Sequence, residues 1–147
     1  MKIEEVKLNK KQYIDLLLLA DEQENMIDRY LDKGTMFTIE DNGVKGVCVV
    51  TCEDGGVLEI KNIAVLPDYQ NKGYGRALIE FIENKFRDTF STIRVGTGDS
   101  PLTIPFYKKC GFSEAYRIKN FFTDNYDRTI IECGIQLVDM VYLEKFI

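Results

Sequence analysis

Gly73 and Gly75 stand between Lys72 and Arg76, where a loop enters a long segment of helical apolar period. Amides in the first turn of a helix have no partner inside it and the helix dipole is positive there, so such an entrance suits an anion such as phosphate. Glycine lets a ligand approach the amides closely, and Lys72 and Arg76 add charge-assisted contacts. The same residues would also serve a ligand-free strand-to-helix turn. Spacing excludes two nucleotide loops. A Walker loop needs Lys-Ser or Lys-Thr after its second glycine, and neither glycine here is followed by such a pair. The dinucleotide fingerprint wants Gly or Ala where this chain has Leu78, and it follows a parallel-sheet strand, not a meander.

Composition narrows the acids and bases that could work beside such a loop. The 147 residues contain no histidine, which removes Ser-His-Asp and Cys-His catalysis and every zinc site built on imidazole. Any acid or base must be a carboxylate, Tyr, Cys or Lys. Cys48, Cys52, Cys110 and Cys133 show no C-x-x-C spacing, so no metal is expected. The formal net charge of -5 argues against nucleic acid or an anionic membrane as the main partner. The charge is uneven, because residues 60–110 carry eight basic and five acidic side chains while both flanks are net acidic. Without a leader-like N-terminus or an apolar run of membrane-spanning length, the expected compartment is the reducing cytosol.

These residues need elements to position them. Ile3, Val6 and Leu8 predict a short first strand, and Asn9 a cap before two helical stretches, Lys10 to Asp21 and Glu22 to Lys33, which Gly34 ends as a left-handed stop. Strand-like runs Thr35–Glu40, Val44–Thr51 and Val57–Val65, divided by Asp41-Asn42-Gly43 and Asp54-Gly55-Gly56, predict an antiparallel meander. After Pro67 the period becomes helical through Ala77, Leu78, Phe81, Ile82 and Phe86. A strand Thr92–Thr97 follows, then a helix from Pro101 to Lys109, awkward at Pro105 and stopped by Gly111. Two strands, Glu114–Phe121 and Ile130–Leu143, joined by a polar turn Thr123–Arg128, complete the pattern. The order β-α-α-β-β-β-α-β-α-β-β predicts one α+β domain over residues 1–147.

Gln70-Asn71-Lys72-Gly73-Tyr74-Gly75 resembles the cofactor loop, [QR]-x-x-G-x-[GA], of the GNAT superfamily of acetyl-CoA-dependent N-acetyltransferases. Ile63-Ala64-Val65-Leu66-Pro67 before it resembles the family's "AV-x-P" strand end, and Phe106-Tyr107-Lys108-Lys109-Cys110-Gly111-Phe112 is similar to its "FY-x-K-x-GF" element. The resemblance implies a mixed, mostly antiparallel central sheet flanked by helices. It implies a splay between the strand ending near Val65 and the strand Thr92–Thr97, with acetyl-CoA inserted there as cosubstrate. Backbone groups of Ile63, Ala64 and Val65 would meet the pantetheine and acetyl carbonyl, and the loop Gln70, Asn71, Lys72, Gly73, Tyr74, Gly75 and Arg76 the pyrophosphate. Ser100 stands where the family commonly has an asparagine that contacts pantetheine.

The resemblance further implies Tyr107 as the general acid for the departing thiolate, unless it only packs with Phe106, and Glu59 as the base. Period-two counting puts Glu59, Lys61, Ile63 and Val65 on one face, so Glu59 either points into the cleft or pairs with a nearby lysine. The expected activity is acetyl transfer to a primary amine by direct attack in a ternary complex. The acidic surplus favours a basic acceptor over an anionic one, and a small basic amine is the expected acceptor. A non-catalytic acyl-CoA-binding module and a protein lysine or N-terminal acetyltransferase are the alternatives. Phe121, Phe122, Asp124, Tyr126, Asp127 and Glu132 form an aromatic and acidic set that would hold a cationic amine, or equally a packed hairpin or a homodimer seam.

Overall fold

Val47-Cys48-Val49-Val50 is apolar at four successive positions, the pattern of a strand covered on both faces, and all four side chains are buried. The computed structural model describes residues 1–147. Seven strands form one sheet: β1 (Lys2–Val6), β2 (Thr35–Glu40), β3 (Val44–Glu53), β4 (Val57–Val65), β5 (Thr92–Gly98), β6 (Ser113–Ile118) and β9 (Met140–Phe146). Their spatial order is β1-β2-β3-β4-β5-β9-β6, and every neighbouring pair is antiparallel except β4 with β5. A two-stranded ribbon, β7 (Ile131–Glu132) with β8 (Ile135–Gln136), lies between β6 and β9 in the chain.

Helices cover both faces, as the expected architecture requires. On one side α1 (Ile14–Ala20) and α2 (Glu24–Asp28) press Leu16, Leu17 and Ile27, joined by Leu31 from the turn after α2, onto Met36, Val47, Val49 and Ala64. On the other, α3 (Tyr74–Phe86) and α4 (Ile104–Lys109) pack on Phe37, Ile39, Cys48, Val50, Leu58 and Ile60. In α3 the helical period brings Leu78, Ile79 and Ile82 to full burial, each contributing roughly 1.5–3 kcal/mol of apolar transfer.

Several boundaries differ from expectation for local reasons. The first strand stops at Val6, leaving Leu8 exposed; Asn9 is left-handed and opens a 3-10 turn, Lys10–Tyr13, before α1. Gly34 is not left-handed. It is glycine because a Cβ there would lie 2.8 Å from the Tyr30 carbonyl oxygen and from Val49 Cγ1. Pro105 is compatible with helix because α4 begins at Ile104, so its missing donor falls in the first turn. The predicted C-terminal pair of long strands is replaced by β6, a short helix α5 (Phe121–Asn125), the ribbon and β9. Asn120 and Cys133 both take positive φ, and Cys133-Gly134 makes the two-residue turn of the ribbon.

The site depends on where β4 leaves β5. Their pairing runs only from Val57 opposite Thr92 to Ile60 opposite Val95, and beyond it the strands separate. The cause is local: between Val49 and Val50 the β3–β4 register steps from Asn62 to Ile60, so Lys61 is an extra residue bulged out of the ladder. The bulge also overturns the period-two assignment of faces. Leu58, Ile60 and Ile63 pack in the α3/α4 layer, whereas Ala64 packs in the α1/α2 layer and Asn62 bonds to groups in it.

Candidate active site

A cavity of about 390 Å³ occupies the splay and runs from the α3 N-terminus to the α1–α2 junction. Its first end is the glycine loop. Gly73 has φ 92°, a backbone that favours glycine, and the space its Cβ would enter is open. The Ala77 N–H to the Gly73 carbonyl, 3.0 Å, is the first helical bond, so the amides of Tyr74, Gly75 and Arg76 have no intrahelical partner. Gly75 permits a close approach, since a Cβ there would sit 3.1 Å from the Phe106 ring. Tyr74 donates its hydroxyl to Asp41 at 2.8 Å and fixes this helix end against the β2–β3 turn.

Ile63, Ala64, Val65, Gln70, Asn71, Gly73, Tyr74, Gly75, Arg76 and Tyr107 all line the cavity. The Val65 carbonyl already accepts from Gln70 Nε2 at 3.1 Å, and Arg76 donates to the Lys109 carbonyl at 2.7 Å. Three expected residues do not line it. Lys72 extends over the Tyr69 ring, 5.5 Å from its centroid. Ser100 is buried with its hydroxyl accepting the Leu102 N–H at 3.1 Å, which stabilises the turn before α4. Glu59 is 5% exposed, with Lys61 Nζ 2.7 Å from one oxygen and Arg94 3.4 Å from the other; Arg94 also bonds Glu144 at 3.2 Å.

Tyr107 lines the cavity, in edge contact with Phe106 and Phe112, and its hydroxyl makes no hydrogen bond with the protein. Burial, with smaller contributions from Cys48, Cys110 and Glu132, pushes its pKa well above that of an ordinary phenol. The far end is acidic. Asp21, Glu22 and Glu132 line it together with Phe122 and Tyr126, whereas Phe121, Asp124 and Asp127 do not. Asp21 is committed to the protein: Tyr126 donates to one oxygen at 2.6 Å and Tyr30 to the other at 3.1 Å. Burial nevertheless raises its pKa against the pull of those two bonds. Asn62 Nδ2 donates to Tyr30 Oη at 3.1 Å and to the Leu17 carbonyl at 2.9 Å, tying β4 to α1 and to the turn after α2.

Sequence reasoning missed the α1–α2 corner, Leu19 to Glu22, and the contribution of Thr97, Gly98 and Thr103. Nothing local marks these residues, because the sheet assembles them from distant segments.

The ion pairs of Glu59 lead to a first expectation. Glu59→Gln should destabilise the fold by about 1–2 kcal/mol, because the half-buried Lys61 loses its carboxylate while Arg94 keeps Glu144. Urea unfolding would measure that loss, and turnover per folded molecule should stay within about tenfold, since the carboxylate is not a cavity group.

Comparisons with known proteins agree with this geometry. Residues 32–114 match a family model described as an acetyltransferase (GNAT) domain. YvbK of Bacillus subtilis (strain 168), an uncharacterized N-acetyltransferase, is 39% identical over 132 residues, covering 88% of this chain and 85% of that protein. A GNAT family acetyltransferase from Elizabethkingia anophelis with acetyl-CoA bound has TM-score 0.93 and 35% identity, over 99% of this chain and 97% of that one. A Bacillus subtilis acetyltransferase in complex with CoA has TM-score 0.88 and 36% identity, over 99% and 98%.

Proposed function

The chain belongs to the GNAT superfamily of N-acetyltransferases, and from that membership we propose that it moves acetyl from acetyl-CoA to the primary amine of a small basic acceptor, by direct attack in a ternary complex. One observation carries the reading: a single cavity joins an open amide cradle, a buried tyrosine and an acidic far end. The residues fit acetyl-CoA. Open space at Gly73 and the unpartnered amides of Tyr74, Gly75 and Arg76 suit its pyrophosphate, and the edge of β4 beyond Ile60, released from β5, suits its extended pantetheine arm. Acetyl-CoA supplies the activated thioester.

The protein's own groups supply the rest. Tyr107, which lines the cavity, would supply a proton to the departing sulfur, and burial keeps the phenol protonated at neutral pH. Asp21, Glu22 and Glu132 set a negative field at the far end that favours cations over anions. Glu59 has a positioning role: it fixes Lys61, which lines the cavity beside the bulge.

The test is release of free thiol from acetyl-CoA across polyamines, aminoglycosides, amino acids and lysine peptides. We expect amine-dependent release with small cationic acceptors and little with acidic amino acids. Acetyl-CoA binding without amine-dependent release would instead indicate a binding module.

A further inference from the structure

Two buried side-chain polar atoms in the protein lack a hydrogen-bond partner, Asn62 Oδ1 and Glu132 Oε2, and both residues line this one cavity. Both atoms are acceptors. The Asn62 amide cannot be turned over to relieve its oxygen, because Nδ2 donates to the Leu17 carbonyl. The Glu132 carboxylate forms neither an ion pair nor a hydrogen bond, and Phe122, Ile130 and Leu137, an apolar cluster, share its wall of the cavity. Glu132 as a whole is half-buried, but this oxygen is shielded from solvent, and a shielded carboxylate oxygen is unfavourable in the ligand-free protein unless a donor arrives. Each orphan atom calls for a donor, and an alkylammonium is a group that brings only donors and positive charge.

Glu132 is also held in place. It lies in β7, next to the Cys133-Gly134 turn, and the ribbon is anchored by the Leu137 N–H to the Ile130 carbonyl at 2.8 Å. The return of the insert between β6 and β9 brings this carboxylate into the cavity that Tyr107 also lines.

We propose that Glu132 receives the acceptor's ammonium and takes its proton, making it the base of the reaction. The proposal rests on the acetyltransferase reading above and names the group that reading leaves open. One ammonium N–H bond breaks and its proton passes to the Glu132 carboxylate. The freed nitrogen lone pair forms the C–N bond to the acetyl carbon of acetyl-CoA, and the C–S bond breaks with its electron pair on sulfur. Tyr107 gives its proton to that sulfur and regains one from the nitrogen, which ends as an amide N–H. Glu132 then releases its proton to water. No oxidant or reductant is involved.

The test uses the whole protein with saturating acetyl-CoA, the best cationic acceptor of the panel, and 2,2,2-trifluoroethylamine, an amine mainly unprotonated at neutral pH. Glu132→Gln should lower kcat/KM for the cationic acceptor by about 10²–10⁴-fold and for trifluoroethylamine by less than about tenfold. The KM for acetyl-CoA should stay within about threefold, since the cradle is untouched. Formate should restore part of the activity of Glu132→Ala by occupying the vacated space as a small base. The Tm of ligand-free Glu132→Gln should be unchanged or raised, because an unpaired carboxylate is removed; a structural role would lower it. Equal losses on both amines, no loss on either, or a lowered Tm without formate rescue would overturn the assignment. Wild-type protein that acetylates no amine would instead overturn the acetyltransferase reading, leaving the two failures distinguishable.

Discussion

Tyr107→Phe should lower kcat by about 10²–10⁴-fold with little change in the KM for acetyl-CoA, the range expected on removing a positioned general acid. The substitution deletes one hydroxyl that makes no protein hydrogen bond, so packing against Phe106 and Phe112 and the stability of α4 should be retained. The pH dependence follows from the direction of the shift. Burial raises the phenol's pKa above its ordinary value of 10.0, so the acid form persists through the neutral and mildly alkaline range. Rates should therefore show no alkaline fall attributable to this group below about pH 10. Complete transfer from so weak an acid to a thiolate, whose pKa is about 8.5 in a free cysteine, is uphill by itself. Tyr107 can act only if it regains a proton from the attacking nitrogen as it gives one up. A full-length kcat–pH profile of wild type and variant would test this, and an alkaline limb near pH 8 lost in the variant would contradict it.

Gly73→Asp should raise the KM for acetyl-CoA about 100-fold and leave the fold standing. The two effects separate because nothing lies within 4 Å of the position its Cβ would take, so the strain is confined to φ 92°. Aspartate and asparagine tolerate positive φ better than other non-glycine residues. The new carboxylate would enter the space in front of the unpartnered α3 amides, where like-charge contact with a phosphate costs about 2–3 kcal/mol, or roughly 100-fold. Gly73→Asn is the control, with the same shape and backbone demand and no charge. Isothermal titration of both variants with CoA should show the larger loss in the aspartate form. Equal losses would assign the effect to shape alone.

Much of this arrangement is legible in the residues themselves. The meander, the long helix α3 and the glycine loop follow from alternation, helical period and the spacing of Gly73 and Gly75. What is not legible has physical causes. The bulge at Lys61 carries no signature, yet one extra residue exchanges the faces of everything after it, so counting by twos from Glu59 fails at Asn62 and Ala64. The insert between β6 and β9 reads as strand because Ile130, Ile131, Ile135 and Leu137 are strand formers. The turns that break it use Asn120 and Cys133 at positive φ, where cysteine gives no warning. Glu132 sits in a two-residue strand without a motif and acquires its position only when the chain returns across the splay.

The division of labour in the cavity also shows how an acidic protein would accommodate the proposed anionic cosubstrate. Amide dipoles rather than a surplus of lysines form the cradle, because Lys72 extends over Tyr69 and Arg76 is partly engaged by the Lys109 carbonyl. Carboxylates collect at the opposite end, where they oppose binding of the phosphates least and attract a cation most.

An initial-rate grid, varying acetyl-CoA and the best amine together while free thiol is recorded, tests direct transfer between two ligands in this one cavity. Lines that converge, with no thiol released when the amine is omitted, are the expected result. Parallel lines, or thiol release that ignores the amine, would contradict it.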